Sequence, residues 1–150
     1  MKKYNSANDT KKHIKTVRFF IKTVCMELEK RAKNHDKSKL RDPEKNCFDI
    51  YTPKLAVCAY GTEEYKQNLA EMQEALKHHY AENSHHPEHY DNGIDGMDLV
   101  DVVEMLCDWK AATFRNKNGD MYKSLQIQKE RFGISDQLMN ILKNTVDRYF

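Results

Sequence analysis

With 150 residues, 25 Lys and Arg against 23 Asp and Glu, and a formal net charge of +2 at pH 7, the chain has the size of one domain. It has no global field that would recruit nucleic acid or an anionic membrane. No apolar run approaches the roughly 18 residues that a membrane span requires, and no apolar signal core with a small-residue cleavage site is visible near the start, so a cytoplasmic protein is expected. Five glycines, three prolines and 32% charged residues, without a succession of short alternating runs, argue for an all-α helical bundle in a single domain, residues 1–150.

From about Thr10 to Lys33, the residues Ile14, Val17, Phe20 or Ile21, Val24 and Leu28 recur at three- and four-residue steps, the stripe of an amphipathic helix. His13 lies on that stripe and is expected to face inward. The surrounding Lys2, Lys3, Lys11, Lys12, Lys15, Arg18 and Lys22 read as a solvated face rather than a nucleic-acid patch. After His35-Asp36 a short polar segment leads to Asp42-Pro43, where proline disfavours helix in the residue before it and marks a break or a new start. In residues 44 to 61, Phe48, Ile50, Tyr51, Leu55, Val57 and Tyr60 suit a short helix pair closed at Gly61.

Thr62, followed by Glu63 and Glu64, has the composition of a helix N-terminus, a capping hydroxyl with acids placed well against the dipole. Tyr65, Leu69, Met72, Leu76 and His79 then fall on one face, which turns His79 inward. Between Asn83 and Gly96 the Asn, Ser, His, Pro, Asp and Gly content predicts a loop carrying His85, His86 and His89. Asp98 or Asp95 can cap the next helix, with Leu99, Val102, Val103, Leu106 and Trp109 as its apolar face. Asp101, Glu104 and Asp108 line its other side. Such a strip is by default a solvated face, but Ala111 and Ala112 beside it leave room for it to line a cavity, and that reading is preferred.

A helix near Met121 to Arg131 follows, then Gly133, then a Ser135-capped helix with Leu138, Ile141, Leu142, Val146 and Tyr149 inward. Cys25, Cys47, Cys58 and Cys107 are widely separated and lack Cys-x-x-Cys spacing, so they are expected as reduced core residues. Tyr80, Tyr90, Tyr122, Phe114 and Trp109 have the rings to stack a nucleobase, but at helical spacing they are expected in the core or half-buried.

Five of the 7 histidines, His78, His79, His85, His86 and His89, fall close together beside the predicted loop. Neutral imidazole and carboxylate together suit borderline divalent metals, here Mn, Fe, Co, Ni or Zn. No single-helix motif such as His-Glu-x-x-His is present, so the ligands would converge from separate helices. Each histidine alone has an ordinary structural explanation. The set, with the His35-Asp36 doublet and the stripe positions of His13 and His79, points to one or two ions.

The order His13, then His35-Asp36, then Asp108 on a late helix resembles the HD superfamily of helical metal-dependent phosphohydrolases. The segment His35-Asp36-Lys37-Ser38-Lys39 is similar to the His-Asp-x-x-Lys form of branches that include cyclic-dinucleotide phosphodiesterases and di-iron oxygenases. HDKSKL, HHYAENSHHPEHY and EMLCDW together resemble, more closely, an uncharacterised family of bacterial and phage proteins with HD-x-SK, H-x3-N-x-HH and EM-x-CDW segments. The resemblance implies His13, His35, Asp36 and Asp108 on a first metal, and His79 with one or both of His85 and His86 on a second, Asp36 bridging. It implies a substrate contact for Lys39; in a phosphoryl-transfer reading Lys37 or Arg41 would also neutralise phosphate oxygens, and Glu104 would act as an acid, a base or a partner orienting a ligand histidine. The expected function is hydrolysis of a nucleotide or other small phosphate ester, with no membrane or specific nucleic-acid partner, and the reading allows a homodimer. A di-iron oxygenase and a non-catalytic, metal-tied interaction protein are the competing readings.

Overall fold

The structure, a computed structural model, describes residues 4–58, 62–115 and 119–150. Among these residues it has seven α-helices, three short 3-10 turns and no strand, the all-α class expected. The chain divides into two units, one ending at Asn34 and one running from His35 to Phe150.

The first unit is α1 (Ala7–Asn34), slightly longer at each end than its apolar stripe predicts. It buries none of its residues. Within this unit Ile14, Val17, Phe20, Ile21 and Val24 are exposed, and so is His13. A lone helix has no interior of its own, so the stripe on it gives amphipathicity without burial.

The second unit holds α2 (Glu44–Val57), α3 (Glu63–Glu71), α4 (Gln73–Glu82), α5 (Leu99–Thr113), α6 (Met121–Phe132) and α7 (Asp136–Tyr149). Its 3-10 turns are Lys37–Leu40, Pro87–His89 and Gly93–Gly96. α2 starts directly after Pro43 and continues through Pro53 as one helix where a pair was expected; Tyr60 and Gly61 lie outside the described residues. Its one buried side chain is Glu44, while Ile50 and Val57 are exposed. The Tyr65 amide donates to the Thr62 hydroxyl at 3.3 Å, the cap the sequence predicts. The helix it starts then breaks at the buried Met72, separating α3 from α4. Neither Gly nor Pro marks that break, so the pattern alone reads through it.

The main core is built from Met105, Leu106 and Trp109 of α5, Met121 and Leu125 of α6, Ile134, and Met139, Leu142 and Val146 of α7. The Trp109 indole stacks on Phe132, ring centroids 6.2 Å apart. Leu99, Val103, Ile141 and Tyr149, expected inward, are exposed. The buried stripes are narrower and rotated toward Val102, Met105, Leu138 and Met139, because residues at the edge of an apolar face share its periodicity without sharing its burial. The cysteines are free, as expected, but Cys25 and Cys107 are exposed and Cys47 and Cys58 only half-buried, so they are not core.

Between α6 and α7, Gly133 takes the left-handed conformation (φ 63) and its amide donates to the Lys129 carbonyl, while Ser135 caps α7. An L side chain at that φ is strained even where space is open. Gly133→Ala is therefore expected to lower unfolding free energy by about 1 kcal/mol, read as an earlier urea midpoint at unchanged m. No helix among the described residues is long and apolar enough to cross a membrane.

Candidate metal centre

Four separate segments of the second unit bring imidazoles and carboxylates together. Asp36 sits at φ 55, ahead of the turn Lys37–Leu40. Aspartate is one of the few residues that enters this left-handed region without large cost. His79 lies in the last turn of α4, buried. His85 and His86 lie in the segment after α4, and Glu104 and Asp108 are four residues apart, hence on one face of α5. The strip expected to line a cavity is thus half-buried beside His35 at Glu104 and Asp108, and fully buried at Asp101.

Asp101 fixes the histidine segment. Its Oδ1 accepts from the Ser84 hydroxyl at 2.8 Å, and its Oδ2 accepts from the Tyr90 hydroxyl at 2.7 Å and the Asp98 amide at 3.0 Å. In return Asp98 accepts from the Asp101 amide, a reciprocal cap that starts α5. One buried carboxylate therefore ties both flanks of His85-His86 to the first turn of the helix that carries Glu104 and Asp108. Gly96 belongs to the same arrangement, since a Cβ there would meet Tyr90 Cβ at 2.7 Å.

Three donor groups form, all in the second unit: Asp36, His79, His85 and His86; His35, Asp36 and Asp108; and His35, His85 and Glu104. In the first, Asp36 Oδ1 is 3.4 Å from His79 Nε2 and 3.6 Å from His85 Nε2, and the His79 and His86 Nε2 atoms are 2.8 Å apart. An ion bonded at 2.0–2.2 Å to nitrogen and oxygen places neighbouring donors about 2.8–3.6 Å apart, so these separations fit it. Asp36 Oδ1 and His85 Nε2 are also buried without a hydrogen-bond partner among the described residues. Buried polar atoms rarely stay unpaired, and two neutral nitrogens at 2.8 Å need a proton or a cation between them. The four residues can hold a divalent ion.

Carboxylates behind the rings set their tautomers. Glu44, 0% exposed, faces His79 Nδ1 at 2.9 Å and His78 Nδ1 at 2.7 Å, and accepts from the Ser38 hydroxyl at 2.9 Å. A carboxylate only accepts, so His79 Nδ1 carries the proton and Nε2 presents its lone pair toward Asp36. Asn83 supports the ring from below, donating to Ser38 Oγ and to the His79 carbonyl. Glu104 Oε1 does the same for two rings, 2.9 Å from His35 Nδ1 and 3.3 Å from His85 Nδ1. The Nδ1 group around Glu104 is thus a hydrogen-bonded support, and Glu104 orients ligands. Glu44→Ala is expected to weaken metal binding by about 10–100-fold, measured by competition against a fluorescent chelator, with Glu44→Gln recovering part of the loss.

Charge follows this division. Burial first, and then electrostatic interaction with His85 and His79, press the His86 imidazole down to about 3, and burial followed by Lys39 lowers His79, so His79 and His86 both offer lone pairs at neutral pH. His35 is pushed up to about 10 by its bond to Asp108 and then by Glu104. Burial raises the Asp36 carboxyl, but the Lys39 hydrogen bond and charge, with His35 and His79, outweigh it and hold it below the usual range. Asp108 is likewise lowered, His35 outweighing burial.

Of the residues singled out in the sequence, His35, Asp36, His79, His85, His86, Glu104 and Asp108 converge in this cluster, and Lys39 reaches it through Asp36 at 2.6 Å. His13 is on α1, in the first unit. His78 reaches only Glu44 among these carboxylates, and His89 bonds the Tyr80 carbonyl at 2.7 Å. Glu44 escaped the sequence reading, as did the anchoring role of Asp101, while Ser38 and Asn83 stood in the quoted motifs without a role. The one available signal for Glu44 was a charged residue directly after the helix-starting proline, and it is too common to single out.

Fold and cluster define an all-α protein with a histidine-carboxylate centre built mainly from the turn after His35, α4, the segment behind it, and α5. The chain belongs to a family of unknown function, DUF5662, which matches residues 2–148. No curated protein and no solved structure matches it.

Proposed function

We propose that this protein is a metal-dependent phosphohydrolase acting on a nucleotide or other small phosphate ester, of the HD type that its His35-Asp36 and Asp108 motifs resemble. The observation that carries the reading is the pair of buried, unpartnered atoms, Asp36 Oδ1 and His85 Nε2, facing His79 Nε2 and lying beside His86. A divalent ion held there would supply water activation at neutral pH and neutralisation of a phosphoryl oxygen.

The chain's own groups supply the rest. Glu44 and Glu104 keep the Nδ1 protons of His79, His35 and His85, which fixes the rings with Nε2 toward Asp36. Lys39, about a quarter exposed and 5.2 Å from the Phe48 ring centroid, is positioned to offer a phosphate oxygen a hydrogen bond from its ammonium while it stays on Asp36. Asp108, partly exposed with its Oδ1 3.6 Å from His35 Nε2, is the carboxylate we assign to take or return a proton.

The test is phosphate release from a panel of nucleoside monophosphates and other phosphate esters by untagged protein loaded with Mn, Co or Ni. Turnover above the metal-only blank is expected, with Lys39→Ala lower in kcat/KM by roughly 100-fold. Silence across the panel, together with oxygen consumption by iron-loaded protein, would overturn hydrolysis in favour of oxygenase chemistry.

A further inference from the structure

The donors are arranged unequally about the two oxygens of Asp36. Oδ1 is buried, unpaired and faced by His79 and His85, with His86 completing a group of four. Oδ2 already holds a cation, the Lys39 ammonium, at 2.6 Å. On that side the second unit offers three donors, with His35 Nε2 3.6 Å from both Asp36 Oδ2 and Asp108 Oδ1.

We propose that the Lys39 ammonium is a tethered cation standing on Asp36 in the place of a second metal ion, so that the centre takes a single ion at Asp36, His79, His85 and His86. This rests on the metal-centre reading above and extends it to nuclearity. An ammonium 2.6 Å from Oδ2 competes for the oxygen that an ion would bind at 2.0–2.2 Å. Two cations so close in a half-buried site repel with little screening. Nor is Lys39 a loose surface chain. Its amide donates to the Asp36 carbonyl at 3.0 Å, and its ammonium lies over the Phe48 ring. The charge that a second ion would offer a phosphoryl group is built into the chain, where neither chelation nor dilution removes it.

The experiment is a Mn²⁺ titration of the chelator-treated full chain, with bound metal counted by equilibrium dialysis and Mn²⁺ coupling read by electron paramagnetic resonance. Wild type is expected to hold one tight equivalent with an uncoupled spectrum. Lys39→Met, or Lys39→Gln should the first variant misfold by circular dichroism, is expected to bind a second equivalent at least tenfold more tightly than wild type does and to give an exchange-coupled spectrum. Lys39→Arg keeps the charge and should stay at one. Two tight equivalents in wild type, or a single one persisting in folded Lys39→Met, overturns the role given to Lys39 while leaving the centre standing. No tight equivalent in wild type overturns the centre itself and this inference with it.

Discussion

Asp36→Ala is expected to abolish metal-dependent stabilisation. Asp36 belongs to both Nε2-facing donor groups and is the one carboxylate in the group of four, and among the described residues its Oδ1 has no hydrogen-bond partner. Loss of a partner that merely orients a ligand costs about 10–100-fold in affinity. Loss of an anionic ligand should exceed that, so more than about 100-fold is expected. An ion present at 100 times its Kd contributes about 2.7 kcal/mol to stability. A 100-fold loss brings the same concentration down to Kd and leaves about 0.4 kcal/mol. For a chain of this size that difference is about 5–9 °C in melting temperature.

Differential scanning fluorimetry with Mn²⁺ or Zn²⁺ against chelator should show a rise for wild type and none for the variant. Asp36→Asn tolerates the left-handed backbone and so separates loss of charge from loss of conformation. An equal rise in wild type and Asp36→Ala would show that the ion, if any, sits elsewhere.

The sequence carried the helices well and the supports of the cluster poorly, for a physical reason. Periodicity registers burial against a helix's own axis, so α5, α6 and α7 were legible from Leu106, Trp109, Leu142 and Val146. The break at Met72 was invisible because a junction filled by a methionine keeps the apolar spacing of a continuous helix. The cluster could be read as residue types, since His-Asp and His-His doublets are uncommon. Glu44 and Asp101 could not be read in the same way. Each is a carboxylate whose role comes from which donors the fold delivers to it, and on a sequence each looks like an ordinary acid in the first turn of a helix, favoured there by the dipole. His13 shows the converse. It has the spacing of an inward residue, yet the helix taken by itself buries nothing, because a stripe states which face is apolar without supplying what packs on it.

Asp101→Ala should be the most destabilising single change in the second unit outside its apolar core. The carboxylate is 1% exposed and accepts from Ser84, Tyr90 and the Asp98 amide. Alanine leaves these donors without that acceptor, each at a cost of about 1–3 kcal/mol, reduced where water enters the space vacated. It also removes half of the reciprocal cap on α5. A net loss of roughly 3–4 kcal/mol follows, or about 6–16 °C in melting temperature.

The drop should persist in chelator, because the bonds broken belong to the protein, and in this it differs from the effect at Asp36. A second effect should appear only with metal. Ser84 and Tyr90 bracket His85 and His86, so releasing them lets two ligands move from Asp36, and affinity should fall although Asp101 contacts no ion. Asp101→Asn keeps one acceptor oxygen and should sit between alanine and wild type on both readouts. A melting temperature for Asp101→Ala within about 2 °C of wild type in chelator, a loss under 1 kcal/mol, would mean that the bonds to Ser84 and Tyr90 do not anchor the segment, and the positions of His85 and His86 would then need another cause.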